Sequence, residues 1–186
     1  SQSMLAQDIA PNRLEAAKQE ILSALQLLRG NRIGLVVFTA VSFAQSPLTA
    51  DTGAIRFYLR KLQPKQMPVG GTSIGRAIHD SLELLTGEEV GAKTSTSPQK
   101  KRTMQRSKNQ LIVLITDGED HESDLVAAAN LTKQYGVQLI TVALGSKEGG
   151  RIPLIREDGS IVFFKRIRNG EVVYSRVVEK NLLMLA

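Results

Sequence analysis

Apolar positions along this chain recur with two periods that take turns, about 3.6 residues and short unbroken runs, as helices and buried strands do. Leu14, Ala17, Ile21, Ala24, Leu25 and Leu28 fall at helical spacing, and Gly30 supplies a stop. Ile33 to Phe38 is a nearly continuous apolar run, as expected of a strand covered on both faces. Val41 to Gln45 follows too soon for a crossover, so it is expected as an antiparallel edge strand behind a tight turn. Asp51 is placed to cap a helix whose buried stripe is Ile55, Tyr58, Leu59 and Leu62. Ile74, Ala77, Ile78, Leu82 and Leu85 predict a third helix. Leu111 to Ile115 and Val137 to Ala143 read as further buried strands, separated by a helix from about Ser123 to Tyr135 that Gly136 ends.

The last quarter changes period. Asp158-Gly159 and Asn169-Gly170 separate Ile152–Arg156, Ile161–Arg168 and Glu171–Arg176, and Asn-Gly between β-rich runs is a strong hairpin signal. Residues 150–177 therefore predict a β-meander, its last strand joining the sheet edge, before a short helix around Glu179 to Leu185. Strands alternating with helices predict an α/β fold with a mostly parallel sheet between helical layers.

Length and composition change little in this picture. At 186 residues and 42% hydrophobic content the chain suits one domain, residues 1–186. No apolar run approaches the roughly 20 residues of a membrane span. The absence of Cys excludes disulfides and thiolate metal sites. The net charge of +6 is local: six basic and two acidic residues lie between Glu88 and Lys108, without an aromatic. Residues 88–109 are expected as a basic, solvated and partly disordered insertion loop.

Candidate chemistry sits where strands hand over to helices. In an open α/β sheet the ligand crevice lies beyond the carboxyl ends of the strands. Asp117 stands at such an end in Ile115-Thr116-Asp117-Gly118, and Thr72 lies in Gly70-Gly71-Thr72-Ser73, entering the third helix. Ser1 and Ser3 precede Met4-Leu5 where an upstream strand would finish, so a first strand is expected to be missing from this chain. Hydroxyl and carboxylate oxygens gathered at one rim suit a hard divalent cation. The plain alternatives are an N-cap role for Thr72 or Ser73, a turn role for Asp117 and solvated terminal serines.

These motifs resemble those of the von Willebrand factor A domain with a metal-ion-dependent adhesion site, whose signature is Asp-x-Ser-x-Ser, then a Thr, then an Asp. The resemblance is closer to bacterial membrane-anchored members of the aerotolerance (Bat) operon type. It rests on Ser1 to Leu14, Asn31-Arg32-Ile33-Gly34-Leu35, Pro47-Leu48-Thr49, Gly70-Gly71-Thr72 and Leu114 to Asp120, and extends into the Ile152-Pro153 and Asn169 to Val173 tail. It implies a three-layer, Rossmann-like α-β-α fold. It also implies Ser1, Ser3, Thr72 and Asp117 as ligands of Mg²⁺ (or Mn²⁺ or Ca²⁺), Asp117 directly or through water. The family's leading Asp would stand two positions before Ser1, so a chain starting at Ser1 is expected to bind metal weakly or not at all. The family's additional strand would lie between the Ile33 and Leu111 strands.

The implied function is a non-enzymatic protein-interaction module that binds an acidic partner side chain, Asp or Glu, through the metal. The implied setting is a bacterial inner membrane, with flanking membrane spans and the domain facing the periplasm. Other Bat-type membrane proteins and an AAA+ ATPase are the implied associates. Three other readings come from the residues. A metal-free scaffold with a vestigial site is one. A metal-dependent phosphohydrolase using Asp117, Glu119, Asp120 and His121 is the second. Nucleic-acid binding through Lys100-Lys101-Arg102 is the third, and is not expected. His79 is expected to be structural, and Asp8 is expected to pair with Arg13 behind Ser3.

Overall fold

A computed structural model describes residues 1–63, 71–87, 90, 109–120, 123–156 and 160–185. The expectations for the basic stretch, for His121 and for Asp158-Gly159 lie outside the described residues, as does Gly70. A short 3₁₀ turn, Gln2–Leu5, leads into α1 (Arg13–Leu27), β1 (Ile33–Phe38) and β2 (Ser42–Thr49). Then come α2 (Thr52–Lys61), α3 (Ile74–Thr86), β3 (Leu111–Thr116), α4 (Leu125–Tyr135) and β4 (Gln138–Ala143). The tail holds β5 (Gly150–Arg151), β6 (Pro153–Ile155), β7 (Ile161–Phe164), β8 (Tyr174–Ser175) and α5 (Glu179–Leu183).

The helices start where short polar side chains satisfy otherwise free N–H groups. Asn12 Oδ1 accepts from Glu15 N at 2.9 Å to open α1, and Asp51 Oδ1 accepts from Gly53 and Ala54 to open α2. Asp124 Oδ1 caps α4 by accepting from Ala127 N at 2.9 Å.

β1 carries out the expected two-sided burial through its period of two. Ile33 and Leu35 pack with Ile21, Leu22 and Leu25 of α1 and Ile55 and Leu59 of α2. On the other face, Phe38 joins the cluster of α3 and α4 formed by Ile74, Ile78, Leu82, Leu125, Ala128 and Ala129. Gly34 lies against Leu84 of α3 so closely that a Cβ would stand 2.6 Å from Leu84 Cδ2. Helical layers thus lie on both sides of β1, the α-β-α sandwich that the alternation predicts.

Three features define the sheet, the first in line with a strand expected between the Ile33 and Leu111 strands and the other two departures from expectation. β1 pairs antiparallel with β2, and β3 pairs parallel with β4, but among the described residues neither ladder hydrogen-bonds to the other. The helix α3 joins them, with contacts to β1, β2 and β3. Second, β3 and β4 are buried on one face only. Ile112 and Leu114 enter the α3–α4 core, whereas Val113 and Ile140 are each 51% exposed and Leu111 is 43% exposed. These residues share a face because partners in a parallel ladder point the same way, and no described helix covers it. Third, β8 pairs antiparallel with β5 rather than joining the sheet edge, and β6 pairs with β7. The anchor of Arg13 to Ser175, described next, holds β8 there.

Candidate functional site

Arg13, the first residue of α1, is fully buried and its guanidinium organises the rim. Its Nε and Nη2 donate to the two carboxylate oxygens of Asp8 at 2.8 and 2.7 Å. Its Nη1 donates to Asp117 Oδ2 at 3.2 Å and to Ser175 Oγ at 2.8 Å, and its Nη2 also donates to the Ser175 carbonyl at 2.8 Å. Ser175 Oγ in turn donates to Glu119 Oε1 at 2.8 Å. Gly145 leaves the space for this cation: its φ is +133°, and a Cβ there would lie 2.7 Å from Arg13 Cζ. Burial opposes ionisation of Asp8, yet the bonds from Arg13 and from Ser146 N–H outweigh it and hold the carboxyl below its ordinary pKa.

Asp117 stands beyond the end of β3, almost fully buried. Its Oδ1 accepts from Glu119 N at 3.2 Å, so the turn role is present, and its backbone carbonyl accepts from Val178 N at 2.9 Å. Gly118 makes the exit from the strand possible at φ +79°, where a Cβ would meet the Val178 carbonyl oxygen at 2.6 Å. Asn181 Nδ2 of α5 donates to the Gly118 carbonyl at 2.9 Å and fixes the loop from outside.

Ser1 and Ser3 are joined to each other, Oγ to Oγ at 2.8 Å, and Ser3 is buried. Burial lowers the pKa of the Ser1 α-amino group, while the charges of Asp117 and Glu119 act the other way, so Ser1 lies within electrostatic reach of Asp117.

The loop of Thr72 is fastened to the loop after Asp117. Asp120 Oδ1 accepts from Ile74 N at 2.7 Å, and Ser123 Oγ accepts from Gly75 N at 2.9 Å. Ser73 Oγ and Ser123 Oγ are 3.1 Å apart, and Asp120 holds Ser123 through both its oxygens. The α3 N-terminus is therefore capped from another loop. Among the described residues, Ser73 makes no capping bond with its own side chain, and Thr72 Oγ1 is buried with no hydrogen-bond partner. The N-cap role thus fits neither residue. Thr39 Oγ1, just past the end of β1, is likewise buried and unpartnered among the described residues, and the Thr39 carbonyl accepts from Ser73 N at 2.8 Å.

Of the four residues picked from sequence, the structure joins Ser1 to Ser3 directly, and the charge of Asp117 acts on the Ser1 amino group. It brings the Thr72 loop against the Asp117 loop through Asp120 and Ser123. Thr72 itself bonds to none of the other three. Sequence reading missed Thr39 and Ser123 as rim residues, although Thr39 follows a strand just as Asp117 does, and named Asp120 only within the motif and the phosphohydrolase reading. It foresaw Arg13 with Asp8 but not with Asp117. Of the acids in the phosphohydrolase reading, Glu119 and Asp120 are engaged by Ser175 and by the α3 cap.

The donors suit a hard cation by class: hydroxyl and carboxylate oxygens without nitrogen or sulfur. The unpartnered Thr72 hydroxyl fits as well. A buried hydroxyl without a partner costs about 1–3 kcal/mol, which a ligand recovers.

Comparison with known proteins places this geometry in context. The family described as von Willebrand factor type A domain matches residues 1–119. A UPF0353 protein of Mycolicibacterium paratuberculosis is 32% identical over 163 residues, covering 83% of this chain and 44% of that protein. The chain spans about half the length, or less, of the curated relatives it matches. Two solved structures superpose over the whole chain. One is an aerotolerance-related membrane protein from Bacteroides fragilis, with multiple mutations to serines (33% identity, TM-score 0.79, 82% of that chain covered). The other is the conserved hypothetical protein BatB from Bacteroides thetaiotaomicron (32% identity, TM-score 0.80, 80% covered). Among the described residues, no helix is long and apolar enough to cross a membrane.

Proposed function

Because this chain belongs to the von Willebrand factor type A domain family, we propose that it is a cation-dependent protein-interaction module. In this reading Ser1, Ser3, Thr72 and Asp117 hold Mg²⁺, with Mn²⁺ or Ca²⁺ as substitutes. The observation that carries it is the buried, unpartnered Thr72 hydroxyl beside the Asp117 loop. Such a cation supplies one open position for an anionic oxygen. Arg13 sharpens that preference: its guanidinium faces Asp117, so the three hydroxyls and one shared carboxylate leave a dication under-neutralised. The partner group is then an Asp or Glu carboxylate. No residue here is asked to break a bond, which agrees with a family of interaction modules.

The relatives' printed names support a membrane-associated setting, and the rest of it is part of this reading. Both solved relatives are Bat or aerotolerance-related proteins and one is named a membrane protein. We place this domain on a membrane-anchored bacterial protein, facing the periplasm, with other Bat-type membrane proteins and an AAA+ ATPase system as associates.

A Mg²⁺ titration followed by thermal melting tests the reading. A ligand at 100 times its Kd adds about 2.7 kcal/mol, roughly 5–10 °C for a domain of this size. Saturating Mg²⁺ is expected to raise Tm, and Thr72→Val or Asp117→Asn to remove the rise. An unchanged response in both variants contradicts the ligand assignment. The Arg13–Asp117 ion pair favours a second reading, a metal-free scaffold in which the guanidinium stands in for the cation. A wild-type Tm that ignores Mg²⁺ selects it.

A further inference from the structure

The helix α3 carries a second group of donors, formed by His79, Asp80 and Glu83. Among the described residues it is the one set of three His, Asp or Glu side chains whose ligand atoms gather within 4.8 Å. His79 Nδ1 lies 3.6 Å from Asp80 Oδ1 and 3.7 Å from Glu83 Oε1. Both distances exceed the 2.7–3.2 Å or so of an N–H···O hydrogen bond, so Nδ1 donates to neither carboxylate. The other ring nitrogen, Nε2, is 2.7 Å from the Val90 carbonyl oxygen. A carbonyl only accepts, so Nε2 carries the proton. In the neutral ring that leaves the lone pair on Nδ1, facing two carboxylate oxygens.

Two carboxylate oxygens and a ring nitrogen gathered this closely favour a positive charge among them, supplied either by a proton on Nδ1 or by a bound metal cation. A tetrahedral ion with bonds of about 2.0–2.2 Å keeps its donors roughly 3.4 Å apart, close to the 3.6 and 3.7 Å that separate His79 Nδ1 from the two carboxylates.

Each donor is also held by a group outside the cluster, as ligands are when oriented from behind. Val90 O fixes the His79 ring. Ser42 Oγ of β2 donates to Asp80 Oδ2 and leaves Oδ1 to the cluster. Val90 N donates to Glu83 Oε1 at 3.1 Å.

We propose that His79, Asp80 and Glu83 bind a transition-metal dication of the Zn²⁺ class, with a fourth position open to water or an incoming donor. An imidazole nitrogen among the ligands separates this site from the all-oxygen rim around Asp117, since nitrogen donors favour Zn²⁺ over Mg²⁺. Because Val90 grips two of the three ligands, an ion there fastens the chain at Val90 to α3 and, through Ser42, α3 to β2.

Competition between the protein and a chromophoric Zn²⁺ chelator, in excess Mg²⁺, tests the site. Wild type is expected to withdraw one equivalent of Zn²⁺. His79→Gln and Glu83→Gln are each expected to weaken binding about tenfold or more, while Thr72→Val leaves it unchanged. Zn²⁺ uptake by His79→Gln equal to wild type overturns the proposal, as does no uptake by wild type. Loss of binding in His121→Asn with retention in His79→Gln does the same. Should a variant unfold, ¹⁵N NMR of the two wild-type His rings decides: His79 Nδ1 is expected to shift on adding Zn²⁺, and an unmoved resonance contradicts the site.

Discussion

Arg13 does more at the rim than any side chain chosen for its ligand chemistry. Its five donors divide among Asp8, Asp117 and Ser175, all inside the protein, so none of these partners can lose it without being left charged or unpaired. Removing one member of such a buried group costs about 3–5 kcal/mol. Arg13→Met is therefore expected to destabilise the domain by that order, read as a lower denaturant midpoint. The link to Asp8 also has a pH signature. The folded pKa of Asp8 lies below its unfolded value, so its contribution is complete above the unfolded value, about 4. It is lost as pH falls through the lower, folded pKa. Asp8→Asn is expected to flatten the pH dependence of stability in that acid range. An unaltered acid profile would show that Asp8 is not the group responsible. From sequence, the pairing with Asp8 was readable because five positions separate the residues. The bond to Asp117 spans 104 positions and has no local signal.

Elements follow their sequence signals where a neighbour in the chain completes them. Asp51 opens α2 with two bonds of its own, and Asp51→Ala is expected to cost about 1 kcal/mol. The α3 start looked equally local, with Thr72 and Ser73 in place, yet its cap comes from Asp120 and Ser123, some 46 positions away. That substitution leaves the Thr72 hydroxyl unspent, which no propensity rule would reveal. Burial divides in the same manner. Apolar runs announced β3 and β4 but not that the described helices leave one face uncovered, because coverage depends on helices elsewhere. Ile78, fully buried in α3, and Ile140, 51% exposed in β4, should therefore respond differently. Ile78→Ala is expected to cost about 2–5 kcal/mol, whereas Ile140→Thr stays within about 1 kcal/mol. Equal losses in chemical denaturation would mean that the β4 face is covered in solution.

Across the whole molecule, strand and helix order was legible because periodicity is a local property. The separation of the sheet into two ladders joined by α3 was foreshadowed by the family resemblance alone. The candidate site was half legible: strand ends pointed to the rim, while the groups that shape it are long-range partners. Its central claim is that hydroxyls from the N-terminal serines and the α3 entrance act with Asp117 on one divalent ion. Thr72→Val isolates that claim, since it removes the buried hydroxyl and keeps its shape. The most direct measurement is an electron paramagnetic resonance titration of Mn²⁺ on the His79→Gln protein, where only the all-oxygen rim is read, with and without Thr72→Val. One Mn²⁺ bound, displaced by Mg²⁺ and weakened about tenfold or more by loss of the hydroxyl, is the expected result, as roughly 1.4 kcal/mol from one recovered polar group implies. Identical titrations for the two proteins would contradict it.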